Sequence, residues 1–235
     1  MKILALDTAL NACSVAITDT GNILAFHHEE RARGHAETLL PLVQALMGKA
    51  HIDFSDLDLI AVSVGPGTFT GLRIGLAAAR GLSLASNTPC VGVTTLEALA
   101  ASVKPEIADG RAIVATADAR RKEIYMQSFI YQGEDTFPET VKTAEAVPIQ
   151  DAHQFLPDSP FVILGSGAQL LESAGKIQTG IGEILTLDPN PDARLIAAIA
   201  ERRGLPPKGT PAPAPVYLRK PDAKLPGGID PTAKP

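Results

Sequence analysis

Residues 2–6, KILAL, form an apolar run that stops at Asp7-Thr8. SVAIT (14–18) alternates apolar and polar positions, DTGN (19–22) carries turn chemistry, and ILAF (23–26) follows. This pattern predicts a three-stranded antiparallel opening. Over 35–50, Leu39, Leu42, Val43 and Leu46 recur at helical spacing. Pro41 either opens that helix or kinks it. Residues 59–64 read as a buried strand running into GPGTFTGLRIG (65–75). Thr68 or Thr70 can cap a second helix that reaches about Ser86. A short strand at 91–93 and a helix over 95–103 complete the first half.

The second half echoes the first. Residues 112–117 form an apolar strand ending at Asp118, followed by the polar turn ARRKE and a strand at 124–130. Another apolar strand, 161–164, runs into GSGA (165–168) and a helix. An amphipathic helix at 192–203 comes last. The expected organisation is two related α/β domains, 1–103 and 104–203, with mixed sheets flanked by helices. Nine of the 19 prolines fall in 204–235, which reads as an extended tail. Within it, PVYLRK (215–220) is apolar enough to dock on the body.

Composition narrows the chemistry. Apolar residues make up 45% of the 235, aromatics only 4%, and Trp is absent. The core must therefore be aliphatic, with close backbone approaches at glycines. A net charge of −5 argues against nucleic-acid binding driven by overall charge. Cys13 and Cys90 make no CxxC pair, and the opening apolar run is too short for a signal peptide or a membrane span. A cytoplasmic setting without membrane contact is expected.

Several candidate sites can be weighed. The glycine loop has the length of a Walker A loop but continues Leu72-Arg73 where that motif needs Lys and Ser/Thr, and Pro66 removes a donor. Gly71, Gly75 and Ala79 recur every four residues as a smooth helical stripe. Such a stripe admits a neighbouring helix closely, from this chain or from another. Asp7-Thr8 at a strand end could hold magnesium and phosphate, with Asp118 mirroring it and Gly165 and Gly167 passing near a nucleotide. Alternatively, each Asp caps a turn. The five histidines include no pair at i, i+4 and no HExxH, so no metal site is expected. Arg120, Arg121 and Lys122 are the densest basic cluster, read as a solvated hairpin tip or as a phosphate or RNA contact.

Taken together, strand–Asp–turn–strand twice and a late strand–GSGA–helix resemble actin-like nucleotide-binding folds. ILALDTALNACSVAI, HAETLLPLVQAL, SVGPGTFTGLRIGLAAARGLSLA, TTLEALA, ATADARRKEIY and PVYLR resemble the bacterial TsaB (YeaZ) family. That resemblance implies the two-domain actin-like/sugar-kinase (ASKHA) superfold. It implies a non-catalytic partner in making threonylcarbamoyladenosine in tRNA, beside the catalytic homologue TsaD and the small ATPase TsaE, with a homodimer when alone. tRNA would be met through the complex. It further implies no cofactor for this chain alone, with ATP and magnesium belonging to the assembly. The implied interface is the first two long helices: His35, Leu39, Leu42, Val43 and Leu46 on one, with Thr70, Gly71, Leu72, Gly75, Leu76 and Ala79 on the other. The alternative is an ATP-dependent phosphotransferase or ATPase using Asp7, and a metallopeptidase is a third reading.

Overall fold

β1 (Lys2–Asp7) is apolar on both faces, and it is buried on both. Leu4 and Leu6 enter one apolar layer, Ile3 and Ala5 another, as the two-residue period of a strand requires. β1 pairs antiparallel with β2 (Ala12–Asp19), and β2 with β3 (Asn22–Glu30). On its other edge β1 runs parallel to β4 (Leu59–Ser63), and β4 to β5 (Cys90–Val93). The computed structural model describes residues 1–133 and 137–219. The expected tail residues 220–235 lie outside them.

The second sheet repeats the plan. β6 (Ala112–Arg120) is central, with β7 (Glu123–Ile130) and β8 (Glu139–Pro148) antiparallel on one side. β9 (Phe161–Leu164) and β10 (Gly182–Ile184) run parallel on the other. The orders β3-β2-β1-β4-β5 and β8-β7-β6-β9-β10 are the same five-strand topology used twice. This is the expected two-domain actin-like α/β fold.

α1 (His35–Ala50) and α2 (Phe69–Ser86) cover one face of the first sheet. Pro41 lies inside α1, which runs on through it. Thr68 caps α2, its Oγ1 accepting the Gly71 N–H at 3.2 Å. α3 (Thr95–Ala100) and the single turn α4 (Pro105–Ala108) lead into the second sheet. α5 (Ser166–Ser173) covers that sheet's outer face. α6 (Ala193–Arg203) follows, with Asp192 as its cap.

Two helices cross over between the halves. Leu96, Leu99 and Ala100 of α3 pack with Ile113, Ala115 and Leu164 of the second sheet. Ala193, Ile196 and Ala200 of α6 pack with Ile3, Ala5 and Leu59 of the first. A division at 103/104 followed by a second unit ending at 203 therefore does not describe the packing. Each sheet takes a covering helix from the other half's stretch of sequence. Among the described residues no helix is long and apolar enough to cross a membrane.

Candidate functional site

The glycine loop lies on the turn that follows β1. The Thr68 N–H donates to Ala9 O at 2.8 Å, and the Thr8 hydroxyl donates to Gly71 O at 2.7 Å. A Cβ added at Gly67 would sit 2.5 Å from Ala9 O, one at Gly75 would sit 2.7 Å from Thr8 Oγ1, and one at Gly71 would overlap Thr8 O. The inward stripe Gly71–Gly75–Ala79 thus lets α2 approach β1 of its own chain, which corrects its assignment to a partner. The same holds for the apolar stripe of α1. Leu39, Val43 and Leu46 are buried in the core with Leu76 of α2, Leu42 is half-buried against it, and Leu72 of α2 is buried in a separate cluster with Leu96 and Leu99 of α3. His35 is buried, with Nε2 3.1 Å from Ala12 O. The reason is general: the apolar face of an amphipathic helix meets its own sheet first. Of the residues expected at the interface, Thr70 is exposed.

What α1 and α2 leave outward is a second, shallower surface. Ala77, Gly81 and Ala85 are exposed at four-residue spacing, and nothing lies within 4 Å of a Cβ added at Gly81. Leu84 beside them is 87% exposed, Leu40 on α1 50%, and Phe69 at the start of α2 58%. Ala45 and Gly48 of α1 are exposed too. Large apolar side chains interleaved with small ones form a patch that another protein can cover. The sequence signal for it was present, since Ala77, Gly81 and Ala85 repeat as regularly as the inward stripe does. The two conspicuous glycines of the inward stripe hid it.

The tail adds to this surface. The Val216 N–H donates to Val64 O at 2.8 Å, and Arg80 Nε donates to Pro213 O at 2.9 Å. The Tyr217 ring stacks on Phe69 at 6.1 Å, and the Arg73 guanidinium lies 3.6 Å above the Phe69 ring. Arg219 reaches the other half, donating to Ala119 O at 3.3 Å and to Glu123 Oε2 at 2.9 Å. Residues 213–219 thus strap α2 to the β6–β7 hairpin; Lys220, the last residue of the stretch expected to dock, lies outside the described residues. Between the halves lies a cleft of about 950 Å³ whose lining includes Asn11, Thr68, Asp118, Ser166 and Tyr217.

The residues expected to hold a nucleotide are not gathered in that cleft. Asp7 and Thr8 have no exposed surface, and neither lines it. Gly165 and Gly167 press against Thr116 of β6, so their missing side chains serve packing. Asp118 lines the cleft, but its Oδ1 accepts the Arg120 N–H at 2.7 Å. Burial pushes the Asp7 carboxyl up to about 7, against the opposing pull of the Ser63 hydroxyl and the Ala9 N–H, and its Oδ2 has no hydrogen-bond partner. A carboxyl sealed under a loop and away from the cleft lining is not placed to meet a magnesium–phosphate group entering that cleft. Among the described residues no group of three His, Cys, Asp or Glu side chains is placed to hold a metal ion.

The buried Asp7 gives a stability prediction. The folded chain keeps this proton up to about pH 7, whereas the unfolded chain releases it near the ordinary aspartate value of 3.8. Its contribution is therefore fully present below the unfolded value and is lost as pH rises to about 7. Asp7→Asn imitates the protonated form. Urea unfolding should show it more stable than wild type at pH 8 by on the order of 3 kcal/mol, with no advantage at pH 4. An equal response of both proteins to pH would show that Asp7 does not titrate in this window.

The family model for TsaD, the tRNA N6-adenosine threonylcarbamoyltransferase, matches residues 25–160. The Escherichia coli tRNA threonylcarbamoyladenosine biosynthesis protein TsaB is 36% identical over 195 residues, covering 79% of this chain and 81% of its own. The chain belongs to the TsaB (YeaZ) family. TsaB of Bacillus subtilis is 29% identical over 81% of this chain and 84% of its own. The structure of YeaZ from Pseudomonas aeruginosa superposes with a TM-score of 0.78 at 31% identity, covering 92% of this chain and 99% of that one. The TsaB family's place is in the biosynthesis of threonylcarbamoyladenosine in tRNA. The match to the TsaD model fits a TsaB chain built on the same fold as the transferase.

Proposed function

We propose that this chain is the non-catalytic partner subunit of the assembly that adds a threonylcarbamoyl group to N6 of the adenosine next to the anticodon. It presents the outward faces of α1 and α2 to the larger catalytic homologue TsaD, with the small ATPase TsaE as a further member. The observation that carries this reading is the outward face of α2, where Leu84 is exposed beside Ala85 and nothing lies over Gly81, with Leu40 exposed on α1. In the absence of the homologue, the same face pairs two copies of this chain. tRNA is met through the complex, in the cytoplasm. The burial of Asp7 and Thr8 under the glycine loop weighs against a phosphotransferase acting alone. ATP and magnesium are accordingly assigned to the assembled complex and not to this chain by itself.

The test is a reconstituted reaction with TsaD, TsaE, the adenylate-forming enzyme and tRNA, run with and without this chain. Threonylcarbamoyladenosine should form only with the chain present, and Asp7→Asn should support it as well as wild type. Product that depends on the Asp7 carboxylate would replace the partner reading with a catalytic one.

A further inference from the structure

The link after β1 is a turn buried under the glycine loop, whereas its counterpart after β6 is a two-residue hairpin with an exposed tip. Arg120 stands opposite Glu123, leaving Arg121-Lys122 as a two-residue connection. Arg120, Arg121 and Lys122 have φ of 63°, 55° and 62°. A two-residue link with both φ positive is the hairpin turn that normally takes Asn-Gly or Asp-Gly, because other side chains are strained there. The other two-residue hairpin among the described residues, between β2 and β3, is Thr20-Gly21 and does use glycine. Here three long cationic side chains occupy left-handed positions, and all three residues are exposed.

The strained tip is braced on several sides. Asp118 Oδ1 accepts the Arg120 N–H at 2.7 Å, and Asp118 Oδ2 lies 3.0 Å from the Arg120 guanidinium. The Asp118 N–H donates to Ser166 Oγ at 3.0 Å. Lys122 O accepts the Ile149 N–H at 2.9 Å, and Arg219 of the strap holds Ala119 O and Glu123. A local choice that opposes turn propensity, yet is fixed by its surroundings, marks a place where side-chain chemistry outranks backbone comfort. The chemistry here is positive charge, on a chain of net charge −5. Exposed Arg and Lys on a braced backbone fit a row of phosphates, which they would position without reading sequence.

We infer that the Arg120–Lys122 tip is this chain's own contact with the phosphate backbone of tRNA, an inference that rests on its place in the tRNA-modifying assembly. The variant that tests it is Arg121→Asn with Lys122→Gly, which installs the preferred turn. Its Tm should equal or exceed that of wild type, so a loss of binding cannot be blamed on folding. Fluorescence titration with unmodified tRNA would be run on the full chain alone and on its mixture with TsaD. Affinity should fall about tenfold, and the slope of log K against log salt should become shallower by about 1.5, the value for two lost phosphate contacts. Unchanged affinity and slope in both formats would overturn the inference. Size-exclusion chromatography of the same mixtures reports separately on assembly. A wild-type chain that fails to co-elute with TsaD counts against the proposed partnership, and the tip is then decided by the titration of the chain alone.

Discussion

Gly71→Ala is expected to lower Tm by roughly 6–12 °C, although alanine is the better helix former. The glycine sits in the first turn of α2, where an added Cβ would overlap the Thr8 carbonyl oxygen and lie 2.6 Å from the capping Thr68 Oγ1. Both neighbours are fixed. Thr8 is fully buried, and its hydroxyl is already bonded to Gly71 O. The methyl group must therefore lift the start of α2 off β1 or break the cap. Overpacking and a lost cap together cost about 3 kcal/mol. Thermal unfolding followed by far-UV circular dichroism measures the effect directly. A Tm within about 2 °C of wild type would mean that the close approach of α2 to β1 is not what this glycine secures.

Gly81→Lys should have the opposite profile. Nothing lies within 4 Å of the new Cβ, so the isolated chain should fold as well as wild type and gain up to about 1 kcal/mol from replacing a helical glycine. A lysine placed between Ala77 and Ala85, next to Leu84, roughens the outward face and puts a charge in its centre. Affinity for TsaD should fall about 100-fold, the scale of a central interface position. Calorimetric titration against the catalytic homologue measures this. Wild-type affinity in Gly81→Lys would remove the outward face of α2 from the interface. The contrast with Gly75 is informative. A leucine there would be driven toward Thr8 Oγ1 and Val62, so lost pairing in Gly75→Leu would report damage to the fold and not a blocked contact.

The course of the fold was legible because its strands are short apolar runs that end on Asp, Gly or turn residues. α1 and α6 are written in helical spacing, and Thr68, one of the two expected cap residues, caps α2. β8 escaped because it is an edge strand of which only one residue in ETVKTAEAVP is buried, so it carries little apolar pattern. β10 is three residues long, too short to show a period. The site was less legible for a different reason. Spacing tells which residues share a helical face but not what that face meets. Leu39, Val43 and Leu46 were correctly grouped by period, as were Gly71, Gly75 and Ala79, and the family resemblance incorrectly turned both groups, with His35, toward a partner. The docking stretch was visible as an apolar island at 215–220 among prolines, while the stacking of Tyr217 on Phe69, with Arg73 over the same ring, needed three dimensions.

The crossing of α3 and α6 bears on how the chain is made. A ribosome releases β1 well before α6, since residues 8–192 lie between the two. At ordinary elongation rates the gap is roughly 10–40 s. Throughout that time the face of the first sheet carrying Ile3, Ala5 and Leu59 lacks its cover. The nascent chain is then a half-dressed sheet, open to chaperones and to other nascent copies, and it becomes a finished molecule only when residues 193–203 emerge and close it.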